Sequence, residues 1–399
     1  MSDKKKFLIS YFLMAILIPL LFVKQYIVLI LKTQFNPLYI SYILSMFPII
    51  KILLEIPTGA MSDYFGCKNS LIIGCMFYLL GYIAILLNKS FASYVIFYLC
   101  YGIQSTIFSG SKESYIYNNM KYYDIVDNEL AKYRSIYKSV YISMLTFASF
   151  IGGFLIKKNI NVSIVLDIIS TLLLMCSLLF SSDKANKKIQ NLNTNYLKSL
   201  KTSLRYTRKH KTLHKYVLYE AIWAAIWDII ISYCVLMFDD ISIRYIPSEA
   251  LLTIKNIILV FVQIIFSKYL YNKDIYFSFK MFLVAAIPAI ITNILFYNSA
   301  FNFVGIMVYF SIMQLANYLI ELKIQKIIPS KMRSTIISEI GFLVGNIRLI
   351  ITYIIGYIAT ISSYKTAFLS VFIIHTVLML IFYMWFNTDT HLKKIQFRM

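Results

Sequence analysis

The sequence predicts an all-α membrane protein of twelve transmembrane helices, divided six and six. Three observations carry this. Of its 399 residues, 59% are hydrophobic and 14% charged, whereas water-soluble domains carry roughly a quarter charged residues. The apolar residues fall in blocks close to the ~20 residues with which a helix crosses about 30 Å of hydrocarbon. One long hydrophilic interruption, 182–215, separates the sixth block from the seventh. A membrane β-barrel is excluded, because its strands would be half as long and would alternate polar with apolar residues.

The first block, 7–31, follows Lys4, Lys5 and Lys6 and so looks like a secretory signal. It is too long and lacks a small-residue cleavage site, so it reads as one retained helix, carrying Lys24. The second block, 38–58, holds Lys51 and Glu55, and a short polar turn leads into the third, 70–88. The fourth, 91–112, contains Gln104 and ends beside Glu113; the fifth is 135–156; the sixth, 161–181, contains Asp167. The interruption carries ten basic residues from Lys184 to Lys215, and its part near 194–211 suits an amphipathic surface helix or a flexible tether. Blocks 216–238, 248–271, 275–297, 300–322, 334–358 and 363–386 complete the chain. Gly and Pro inside many blocks are tolerated better in membrane helices than in soluble ones. The expected domains are a six-helix unit at 1–181, a basic linker at 182–215 and a second six-helix unit at 216–399.

A net charge of +21 invites a nucleic-acid partner, but the location of the cations decides otherwise. Of 39 Lys and Arg, 26 fall on one side of the predicted helices and six, Lys32, Lys89, Lys157, Lys158, Arg244 and Lys365, on the other. By the positive-inside rule both termini are cytoplasmic. Topology and attraction to anionic lipid account for the charge without nucleic acid. Cys67, Cys75, Cys100, Cys176 and Cys234 form no CxxC pair and read as free thiols. No metal and no cofactor are expected.

The turn after the second block reads Glu-Ile-Pro-Thr-Gly-Ala-Met-Ser-Asp-Tyr-Phe-Gly-Cys-Lys-Asn over residues 55–69. It resembles the G-x-L-x-D-R-x-G-R-[RK] loop between helices two and three of the major facilitator superfamily. Gly59, Asp63, Gly66 and Lys68 match; Met61, Tyr64 and Asn69 depart. A second junction, Ile328-Pro329-Ser330-Lys331-Met332-Arg333-Ser334-Thr335-Ile336-Ile337-Ser338, is similar to the I-P-S-x-x-R-A-T-x-x-S of bacterial members.

The resemblance implies two six-helix bundles built of inverted repeats and working by alternating access. It points to a bacterial twelve-helix secondary transporter of the drug or metabolite exporter type, expected as a monomer in the cell membrane. It also implies a gating set of Gly59, Asp63, Gly66, Lys68, Glu55, Glu113 and Arg333. Asp63 is expected at the start of the third helix, where a carboxylate meets free backbone N–H groups and, by the resemblance, latches the bundles. Other family features are weak. The fourth helix has Gln104 and Gly110 where the family has an Arg, the fifth keeps only Gly152-Gly153 of Gly-Pro-x-x-Gly-Gly, and the loop at 267–274 is a decayed copy of the first-half motif.

A charge at the bilayer centre costs at least roughly 2.5–3.5 kcal/mol, so each one needs a partner, a wet cavity or a role. Lys51, Asp228 and Arg348 lie roughly 18–21 Å into their helices at 1.5 Å per residue. In the family these helices line the central cavity. Asp228 is the first candidate for a proton or cation site, because a carboxylate held away from water binds and releases a proton nearer neutrality. Trp223 and Trp227 offer it an aromatic face. A structural ion pair between Asp228 and Lys51 or Arg348 is the competing reading. Lys51 and Arg348, extended by Lys24 and Lys255, suit an anionic substrate instead, although the latter two can snorkel.

Glu55 stands one turn from Lys51. Glu220, Glu321 and Glu339 read as helix ends; Asp167 and His375 read as structural.

The leading expectation is proton-coupled efflux of small amphipathic molecules. A carrier of organic anions or other metabolites, or a non-transporting receptor on the same scaffold, is the alternative. There is no Walker loop, Ser-nucleophile motif or metal-spaced His cluster, so an enzyme or ATP-driven pump is not expected.

Overall fold

The computed structural model describes residues 3–125, 127–181, 205–241, 247–265, 275–297, 299–327 and 333–387. Among them every regular element is helical. The first half contains α1 (Asp3–Leu17), α2 (Ile27–Lys32), α3 (Pro37–Phe65), α4 (Cys67–Leu87), α5 (Phe91–Tyr122), α6 (Asp127–Lys158) and α7 (Ile160–Phe180). The second contains α8 (Lys211–Asp240), α9 (Ser248–Ile265), α10 (Ile275–Leu295), α11 (Ala300–Ile327), α12 (Arg333–Ile361) and α13 (Tyr364–Asn387). Over its described residues each predicted block is helical, the first in two pieces. Nine of the described helices are long and apolar enough to cross a membrane, and two more apolar helices, Ala250–Val262 and Lys280–Leu295, are shorter. Large apolar side chains lie exposed along them, Leu87 and Phe180 at 81% and Leu53 at 62%. Surface of that kind suits lipid and not water.

Contacts divide the chain into two units: Met1–Ser199 with Ser248–Asn256, and Leu200–Pro247 with Ile257–Met399. In the first, α4 and α5 pack together and α3 lies along α5. Its aromatic core joins Tyr78 and Tyr82 of α4 to Phe97 and Tyr101 of α5. A second cluster ties Phe7, Tyr11 and Met14 of α1 to Leu71 and Cys75 of α4, Tyr115 of α5 and Leu178 of α7. In the second unit, α8 packs on α12 and α11, and α10 packs on α11. Trp223, Phe282, Tyr309 and His375 form its fully buried centre.

Two expectations about element bounds are corrected. The first block is not one helix: α1 ends at Leu17, α2 starts at Ile27, and the chain between them is irregular. Pro19 supplies the reason, since it has no N–H to donate to the preceding turn and its ring crowds that turn. The polar turn at 55–69 is not a loop either. α3 keeps helical backbone to Phe65 and α4 begins at Cys67, so the turn is one residue, Gly66, with φ 84° and ψ 148°. A side chain is strained at that φ, and glycine is not. Asp63 therefore lies in the last turn of α3 and not at the start of α4.

Candidate functional site

In the second unit, packing of small residues brings two charges together. Ala221 and Ala225 of α8 meet Val344 of α12, with Ile340, Leu343 and Ile347 against them. Small side chains let the two backbones approach closely. Continued along α8 at helical spacing, the same face carries Asp228 and Ser232; along α12 it reaches Arg348.

Arg348 Nη1 stands 3.3 Å from Asp228 Oδ2, and Nη2 donates to Ser232 Oγ at 3.1 Å. Ser232 Oγ in turn donates to the Asp228 carbonyl at 2.6 Å. The Asp228 side chain is 41% exposed and that of Arg348 13%. A covered guanidinium is thus held by an accessible carboxylate, midway along two long helices. Removing the carboxylate would leave the Arg348 guanidinium without its counter-charge, so the contact between α8 and α12 depends on both partners.

The tryptophans divide. Trp223 is fully buried, donates from Nε1 to the Met313 carbonyl at 3.3 Å and packs on Tyr219, Phe282 and His375. It belongs to the core and not to the face that carries Asp228. Trp227 is half-buried against Phe310. His375 keeps its structural reading: it is fully buried, with Nδ1 2.5 Å from the Tyr309 hydroxyl.

In the first unit the break in the first helix is built into the packing. Asp167 of α7 is fully buried and accepts the backbone N–H of Phe22 at 2.6 Å and of Val23 at 3.0 Å. Ser170 Oγ donates to the Leu20 carbonyl at 3.1 Å. Towards α6, the Tyr26 hydroxyl donates to the Ser149 carbonyl at 2.6 Å, Gln25 Nε2 donates to the Leu145 carbonyl at 3.3 Å, and Ser149 Oγ donates to Gln25 Oε1. Asn256 also donates to Ser149 Oγ, at 2.6 Å. Gly152 lies flat on the broken strand of chain; a Cβ there would stand 2.8 Å from the Phe22 carbonyl oxygen. The unwound backbone is thus anchored by side chains and close packing, as buried irregular backbone in a membrane protein requires.

Two cavities open in this unit, the smaller of them beside the break. One, of about 60 Å³, is lined by Ile18, Leu21, Lys24, Tyr78, Tyr101 and Gln104 among others. Lys24 Nζ stands over the Tyr101 ring, 4.6 Å from its centroid, a cation–π contact. The second, of about 280 Å³, is lined by Tyr11, Lys112, Glu113, Tyr137, Lys138 and Tyr141. Tyr141 borders both. Glu113 is exposed and paired with Lys112 at 3.5 Å.

The remaining candidates are scattered. Lys51 is half-buried on α3, one turn before Glu55, whose Oε1 accepts from Ser109 of α5 at 3.3 Å. Lys68 donates to the Leu179 and Ser181 carbonyls at 3.1 and 2.7 Å, so it caps the C-terminus of α7 within its own unit. Lys255 is buried. Glu339 accepts from Thr207 at 3.0 Å. The side chains of Gly59, Asp63, Glu321 and Arg333 lie outside the described residues, as do the junction at 328–332, the loop at 267–274 and most of the linker. The sequence reading missed Tyr78, Tyr101, Tyr141 and Ser232, and the part Asp167 plays; Pro19 in an apolar block was the one local sign of a break.

Comparison with known proteins gives the same architecture. Among solved structures, the nucleoside transporter NupG superposes with a TM-score of 0.75 at 13% identity, over 97% of this chain and 99% of that one. A D-xylose–proton symporter gives 0.73 at 12% identity, over 96% and 97%. A bacterial homolog of the human lysosomal transporter Spinster, in an inward-facing and unoccupied conformation, gives 0.73 at 13% identity, over 96% of both chains. No curated protein matches the sequence. The sequence profile of the Major Facilitator Superfamily matches residues 7–351, and with the fold and the helix-two to helix-three motif this places the chain in the major facilitator superfamily, as a multi-pass membrane transporter and not an enzyme.

Proposed function

We propose that the chain is a proton-coupled secondary transporter that exports small amphipathic molecules across the cell membrane by alternating access. The observation that carries this is the Asp228–Arg348 pair: opposite charges at 3.3 Å, midway along α8 and α12, with the carboxylate the more accessible partner. A charge pair at that depth is costly to desolvate and is kept where it does work. In the cycle proposed, Asp228 takes up a proton from one side, releases Arg348, and gives the proton up on the other. The apolar and aromatic walls around Tyr101 and Tyr141 suit an amphipathic solute. Domains at 1–181 and 216–399, cytoplasmic termini, a monomeric state and a latch role for Asp63 complete the proposal.

The test is flux in proteoliposomes under an imposed pH gradient, with a panel of cationic, neutral and anionic aromatic compounds. Gradient-driven flux in the wild type and its loss in Asp228→Asn are expected. A full panel that moves no compound would overturn the transport reading and favour a receptor. A second reading, a carrier of organic anions, is favoured by Arg348 and Lys24; it gains if Asp228→Asn leaves gradient-driven flux intact.

A further inference from the structure

We propose that the cavity beside the break in the first helix binds an anionic oxygen headgroup, carboxylate or phosphate, of an aromatic solute through Lys24, and that Asp167 is the positioning residue that sets Lys24 there. The inference deepens the transport reading and rests on it.

The chain of contacts is continuous. Asp167 takes the N–H groups of Phe22 and Val23, the two residues that immediately precede Lys24. With its backbone held there, Lys24 directs its ammonium over the face of Tyr101 at the rim of the cavity. Tyr101 is itself fixed by stacking on Phe47, 4.7 Å between centroids, and by packing on Tyr78 and Phe97. The same cavity wall offers the Gln104 side-chain amide, a second donor for an oxyanion.

Size limits the ligand. About 60 Å³ holds a few water-sized groups, which accommodates one headgroup and leaves the ring of the solute outside it. The neighbouring cavity of about 280 Å³, walled by Tyr11, Tyr137 and Tyr141, is close to the lower bound of small-molecule sites. It shares Tyr141 with the first and gives the ring a place to lie.

The test is binding to the purified full chain in nanodiscs, read by thermal shift and by calorimetry, with benzoate, phenyl phosphate, benzylammonium and benzyl alcohol as probes. Binding of benzoate or phenyl phosphate in preference to the cationic and neutral probes is expected, and the stronger of the two anions identifies the headgroup. Lys24→Gln, at an exposed position, is expected to weaken the preferred anion about tenfold, as loss of one charge-assisted hydrogen bond does; its melting curve reports whether the fold is kept. Asp167→Asn is expected to weaken it similarly, yet to have no further effect in the Lys24→Gln background, because it acts through Lys24.

Equal binding of all four probes, or unchanged affinity in Lys24→Gln, would overturn the site. Additive losses in the double variant would overturn the positioning role of Asp167. Binding is read without a gradient, so absent anion binding alongside persisting gradient-driven flux rejects this site alone. Absent flux rejects the transport reading itself.

Discussion

The carboxylate of Asp167 accepts the backbone N–H of Phe22 at 2.6 Å across 145 positions of sequence. A side chain of the sixth membrane segment thereby supplies the partner that a break in the first would otherwise lack. Asp167→Ala leaves the N–H groups of Phe22 and Val23 buried without acceptors. At about 1–3 kcal/mol for each such group, the loss is roughly 2–6 kcal/mol, a large share of the 5–15 kcal/mol that typically holds a fold. A marked fall in folded yield and in melting temperature by thermal-shift assay is expected; an unchanged melting curve would mean that the break stands without its anchor.

The Asp228–Arg348 pair separates stability from coupling. Arg348→Gln removes the counter-charge of an accessible carboxylate and should cost about 1 kcal/mol, discounted for the exposure of Asp228. Asp228→Asn strands the more covered guanidinium and should cost more, about 1–3 kcal/mol. The double variant Asp228→Asn with Arg348→Gln should regain stability but not gradient-driven flux. Recovery of both together in melting and liposome assays would reduce the pair to scaffolding.

Gly152 has no space for a larger residue. Its Cβ would lie 2.8 Å from the Phe22 carbonyl oxygen and 3.2 Å from the Phe22 Cα, and backbone cannot swing aside as a flexible side chain does. Gly152→Val is expected to destabilise by about 1–3 kcal/mol and to shift the chain around Lys24. Anion affinity and melting temperature should fall together, which parallel calorimetry and thermal shift will read.

Lys68 matches the family motif, yet its ammonium closes the end of α7 through the Leu179 and Ser181 carbonyls. Lys68→Met should therefore cost about 0.5–1.5 kcal/mol of stability while transport per folded molecule is retained. Initial flux normalised to folded protein checks this; a selective loss of flux with an unchanged melting point would make Lys68 a gating residue after all.

The legible parts of this protein are those written in local pattern. Block length and hydropathy located the helical blocks but not the break in the first of them, and Asp228 with Arg348 stood out because a charge in an apolar block is rare enough to draw attention on its own. Asp167 was equally visible, but its partner is a pair of backbone N–H groups, which every residue except proline carries, so no pattern singles them out. Tyr101 and Tyr141 were hidden for the opposite reason: in a chain with 33 tyrosines, one that lines a cavity looks like any other. Trp223 misled by proximity. Five positions along a helix turn a side chain well away from Asp228, and the Trp223 ring found the core.

Membrane residence, helical class and superfamily are properties of composition and short motifs, because the cost of exposing polar backbone to lipid leaves a long apolar chain few structures to adopt. Which carboxylate holds the first helix open, and which charges meet, are matters of three-dimensional packing. Those outcomes depend on contacts between residues more than a hundred positions apart, and such contacts leave no periodic trace along the chain.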